Sequence, residues 1–153
     1  MLGIYIGHLF YHYPNLPEQM PIHFNPGGNP DSWARREAFL LLDSLVLFFI
    51  LMTAYLPPIL IAQTPSSRIN LPNKEHWLAP EHREETYRTI GRYFEIFGAA
   101  LFVLFTGVNE LVFRASLRHE VLNTSAAWAL ILAFLIFTAL WLTKLYRHFR
   151  ITV

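Results

Sequence analysis

Two long stretches, apolar and nearly free of charge, limit what this chain can fold into more than any other feature. Ala38–Ala62 is 25 residues with one charge, Asp43, and Val121–Thr143 is 23 residues with none. About 20 apolar residues wound as a helix cross the roughly 30 Å hydrocarbon layer of a bilayer. A soluble enzyme core is therefore the wrong picture. The expectation is an all-α integral membrane protein.

Composition supports this and excludes other classes. Hydrophobic residues reach 54% and charged residues only 15%, against roughly 45–50% and about 25% in soluble proteins. With a net charge of +1 and no basic block, the chain offers no nucleic-acid surface. It has no cysteine, which excludes disulfides, thiolate metal sites and iron–sulfur ligation. The N-terminus lacks the basic region and small-residue cleavage site of a signal peptide.

The chain reads as one transmembrane domain over 1–153, with three full spans and a short N-terminal membrane helix. Residues 1–13 are apolar and aromatic, but as a helix they extend only about 20 Å. Such a segment is either completed by its neighbours or begins upstream of Met1. Residues 14–33 hold five of the ten prolines and the Gly27–Gly28 pair, which predicts an extended loop with tight turns. Asp31 or Ser32 then supplies the cap for a helix over 33–62, with Pro57–Pro58 stopping or kinking its end. A polar loop over 63–80 precedes a long helix over 80–117. Asn123–Thr124–Ser125 caps a final helix over 124–149.

Basic residues set the expected orientation. The second loop, the adjoining helix start and the C-terminal tail carry eight: Arg68, Lys74, Arg83, Arg88, Arg92, Lys144, Arg147 and Arg150. The other side carries four, Arg35, Arg36, Arg114 and Arg118. The positive-inside rule then places the C-terminus in the bacterial cytoplasm and the 14–33 loop outside. Trp33, Trp77, Trp128 and Trp141 fall near span ends, as interfacial anchors do.

Candidate chemistry is sparse. An intramembrane carboxylate such as Asp43 by default suggests proton or ion handling. The structural reading, favoured by the lack of midplane partners, pairs it with Arg36 on its own face or hydrogen-bonds it to another helix. Arg92 with Glu95 and Glu110 with Arg114 have ion-pair spacing and read as interfacial anchors. Of seven histidines none shows a spacing such as HExxH. His8, inside the first apolar segment, reads as a hydrogen-bonding group, its chemical alternative being a haem or pigment ligand. No catalytic set is spaced along the chain, so no enzyme is expected. Small residues Ser125, Ala129 and Ala133 form one stripe on the last helix, and Gly91 and Gly98 lie on the long one. Such residues let membrane helices approach closely.

The run from Leu16 through Pro21, His23, Phe24 and Asn25, followed by Gly28, Pro30, Asp31 and Trp33, is distinctive. It resembles an uncharacterised bacterial membrane domain, also found at the N-terminus of SdpI-type immunity proteins. Members place an LPxxIPxHFxxxGxPDxW-like loop between two transmembrane helices. Ile69–Glu81 resembles the second loop of the same group. The loop residues read as a rigid re-entry turn, or alternatively as a recognition surface with His23 and Asp31 as polar contacts. Taken together, these readings predict a non-catalytic accessory subunit packed against a larger respiratory or photosynthetic complex. The resemblance alone implies an SdpI-like immunity or signalling protein. Membrane lipid is the other expected partner, and bound lipid or pigment the only expected small molecule.

Overall fold

A computed structural model describes residues 1–150. Helix α1 covers Leu2–His12 and runs into a 3-10 turn over Tyr13–Asn15. Strands β1 (Gln19–Phe24) and β2 (Pro30–Arg35) follow, then α2 (Arg36–Gln63), a 3-10 turn over Ser66–Arg68 and the short α3 (Lys74–Trp77). The two remaining helices are α4 (Arg83–Arg118) and α5 (Thr124–Arg150). Three of the helices, α2, α4 and α5, are long and apolar enough to cross a membrane.

The segment expected as an extended loop is a β-hairpin. Its strands pair antiparallel, with Gln19 opposite Arg35, Pro21 opposite Trp33 and Phe24 opposite Pro30. Prolines are tolerated because both strands of a two-stranded ribbon are edges. Register breaks on either side of His23 leave Ile22 and Asp31 as extra residues on opposite strands. The turn is built by Asn25, whose side-chain oxygen accepts from the backbone N–H groups of Gly27 and Asn29 at 3.0 and 3.1 Å. Gly28 takes φ +83°, and a Cβ there would lie 2.5 Å from the Leu122 carbonyl oxygen.

The hairpin also overturns the expected cap of the second helix. Asp31 and Ser32 lie in β2, and α2 starts at Arg36, directly from the strand. The Arg36 N–H donates to Glu18 O at 2.8 Å, so a ladder bond satisfies a donor that a capping side chain would otherwise take.

The residues divide into two compact units. One comprises Met1–Phe48 and Leu101–Phe134; the other comprises Phe49–Ala100 and the chain from Leu135 onward. The first is centred on Leu16, Met20, Phe39, Val112 and Phe113, with Met20 and Phe113 fully buried. In the second, α4 meets α2 at Gly98, where an added Cβ would collide with Ala54. The helix α2 continues through Pro57 and Pro58 instead of stopping there. The same unit clamps the end of α5. Trp77 Nε1 donates to Phe149 O at 2.9 Å, and Asn73 Nδ2 donates to Arg150 O at 2.8 Å. These donors satisfy carbonyls that a helix C-terminus leaves open.

Within the described chain the small-residue stripe of α5 stays open. Gly98 is occupied by Ala54 of α2, and Ser125, Ala129 and Ala133 are exposed. The contact between α4 and α5 in the first unit runs instead through Leu130, whose side chain fills the space over Gly107. Bulk packed against a glycine serves as well as two flat faces. Gly91 meets Pro58 only at ordinary contact distance.

Candidate functional site

Helix α1 places Tyr5, His8 and His12 on one stripe, because residues three and four apart share a helix face. Facing them on α4 are Asn109, Glu110 and Phe113. The result is two polar layers in an apolar surround.

In the first layer, buried Asp43 of α2 accepts hydrogen bonds from the Tyr5 hydroxyl and from Asn109 Nδ2, the latter at 2.6 Å. Three helices therefore meet at one carboxylate. Arg36 is not its partner. The guanidinium donates to Leu16 O at 3.2 Å and lies over the Tyr13 ring, 4.8 Å from its centroid. Asp43 thus holds α1, α2 and α4 together by hydrogen bonds to neutral groups.

In the second layer both histidines converge on one oxygen. His8 Nε2 lies 2.8 Å and His12 Nε2 2.9 Å from Oε2 of Glu110. The other oxygen of Glu110 accepts from Arg114 Nε. The Phe113 ring stacks on His8 with a centroid distance of 5.4 Å and an interplanar angle of 16°. It also lies 5.2 Å from the His12 ring. His12 is buried, whereas His8 and Glu110 are partly exposed. The donor atoms of His8, His12 and Glu110 all fall within 4.8 Å of one another. Two imidazoles and a carboxylate form a donor set suited to a first-row transition metal.

His8 thus belongs to a polar cluster, and its Nε2 is engaged by Glu110. The sequence reading missed His12 and the role of Glu110. The expectation that no histidines have metal-motif spacing was wrong in one respect: His8 and His12 are four apart, the separation of the two histidines of HExxH, although the glutamate of that motif is absent. Nothing local points to Glu110, which comes from a helix about a hundred residues away.

The remaining candidates are dispersed. His23 Nδ1 lies 2.5 Å from Asp31 Oδ1 across the hairpin, and both side chains are largely exposed, at 68% and 44%. Phe24 packs on the first unit's core, and Trp33 is exposed. Arg92 and Glu95 are both exposed, and no ion pair joins them among the described residues. Trp141 turns inward and donates to Tyr93 O at 2.9 Å.

The fold and site define a class: a small helical protein with three membrane-length helices, a short N-terminal helix and a β-hairpin carrying a proline-rich motif. Residues 1–52 match a domain of unknown function, DUF1648. An uncharacterized protein of Archaeoglobus fulgidus is 32% identical over 140 residues, covering 88% of this chain and 74% of the archaeal one. The chain belongs to the family of that archaeal protein. No solved structure matches it.

Proposed function

We propose that this chain is a non-catalytic integral membrane protein acting as an accessory subunit packed against a larger membrane complex. The observation that carries this reading is the outer face of α5. No residue of that helix's most apolar stretch is buried within the chain. The same helix exposes the flat stripe of Ser125, Ala129 and Ala133. Lipid is contacted equally well by bulky side chains, whereas a flat stripe suits a close helix neighbour. The polar residues at membrane depth support a structural role, since Asp43 and Glu110 are engaged by neighbours within the chain. The basic asymmetry orients the protein in the cytoplasmic membrane with the hairpin outside and the C-terminus in the cytoplasm.

Purification in mild detergent tests the assignment. The subunit co-migrates with a larger assembly, and Ala129→Leu releases it without lowering the chain's own stability. A wild-type chain that migrates alone in native membranes' extract rules the subunit role out. The exposed His23–Asp31 pair on the hairpin favours a second reading, an SdpI-like immunity or signalling protein that meets an external peptide. Under that reading, loss of the gene sensitises cells to such a peptide, and His23→Ala reproduces the loss.

A further inference from the structure

We propose that His8, His12 and Glu110 form a binding site for a divalent transition-metal ion of the zinc type, independently of the subunit role above. Three features carry the assignment. The donors are two imidazole nitrogens and one carboxylate oxygen, the set found with an open fourth position in catalytic zinc sites and in the two-histidine, one-carboxylate iron sites. They converge from two helices within 4.8 Å. They are also pre-oriented, with Phe113 against both rings and Arg114 holding the far oxygen of Glu110. That leaves Oε2 turned toward the histidines.

The present spacing is that of hydrogen bonds. Each Nε2 lies 2.8 or 2.9 Å from Oε2, whereas donors bound tetrahedrally at about 2.0–2.2 Å stand roughly 3.3–3.5 Å apart. Accepting the ion requires each pair to open by about half an ångström. A shift of the partly exposed Glu110 carboxylate opens the pair with His12, and His8 can supply the rest. Its Nδ1 is buried without a hydrogen-bond partner, so no second bond opposes a small slide of the ring along the face of Phe113. Arg114 is exposed, so water screens its charge from the ion. With three protein ligands, the fourth position goes to water or to a group from outside the chain. Bound metal would tie α1 to α4.

The test uses the full chain, carrying a tag without histidines, in detergent micelles. Zinc titration followed by elemental analysis of the washed protein reads one ion per chain. Magnesium, which prefers oxygen ligands, does not compete. His12→Gln and Glu110→Gln each weaken zinc binding by more than about a hundredfold, beyond the loss typical of outer-shell changes. Circular dichroism checks that both variants keep their helices. X-ray absorption on the wild-type complex provides a readout that does not depend on variants, and shows two imidazole ligands. His76 and His82, whose rings lie 4.5 Å apart, are the rival pair, and His76→Gln leaves binding unchanged. Absence of stoichiometric zinc in the wild type overturns the proposal. So does binding that survives His12→Gln or that is lost with His76→Gln.

Discussion

At Asp43 one carboxylate accepts from two neutral donors on two other helices, and its substitutions separate hydrogen bonding from charge. In Asp43→Asn the amide oxygen still accepts from Asn109, and the amide nitrogen donates to the Tyr5 oxygen once that hydroxyl turns. The expected loss is small, about 1 kcal/mol, read as a modest fall in thermal midpoint in detergent. Asp43→Leu leaves the Asn109 amide buried without its acceptor and strips the Tyr5 hydroxyl of its carboxylate, leaving it only Ser44. At roughly 1–3 kcal/mol for an orphaned group, it should destabilise the fold severely. If Asn and Leu were equally tolerated, the carboxylate would not be holding the helices together. Gly28 is constrained by its backbone, because its positive φ and the 2.5 Å approach to Leu122 O leave no room for a side chain. Gly28→Ala is expected to cost about 1–3 kcal/mol, measurable by the same melt.

At the scale of elements, the long helices were legible and their partners were not. Apolar runs and the polar residues that bound them mark α2, α4 and α5 within a few residues, since those signals are local. The hairpin was hidden because its strands are six residues each, carry prolines and are bulged, which blurs any alternation. Which faces meet is a tertiary matter. Gly98 reads equally well against any flat neighbour, and only the folded chain selects Ala54. For α5 this yields a paired expectation. Leu130→Ala removes the half-buried side chain over Gly107 and destabilises the isolated chain by about 1–2 kcal/mol, below the range for fully buried leucines. Ala129→Leu changes an exposed position and leaves the melt of the isolated chain unchanged while weakening its association with a partner. The candidate site was half legible. The four-residue spacing of His8 and His12 is plain in the sequence, but their carboxylate partner is fixed only by the packing of α1 on α4.

For the whole molecule the proposed orientation makes a direct prediction. Single cysteines introduced into this cysteine-free chain at Asn25 and Ser67 should react with an impermeant thiol reagent from opposite faces of the membrane. Reaction of both from one face would reverse the assignment of the hairpin or of the second loop.

The distance along the chain between groups that meet in the first unit bears on its biosynthesis. The region matched to DUF1648 ends at residue 52, and by then Tyr5 already has Asp43. Asn109, Glu110 and Phe113 are still to be translated. So is Leu122, whose N–H pairs with Gly28 O at 2.8 Å. The matched region and the compact unit that contains the site are therefore different lengths of polypeptide. A ribosome that has released only the first fifty-odd residues presents two unpaired histidines and a hairpin with half its support missing. Synthesis of α4 and of the connection through Leu122 completes that support, so a nascent chain arrested before α4 should remain open to protease at the hairpin, and one arrested after α5 has emerged should be protected.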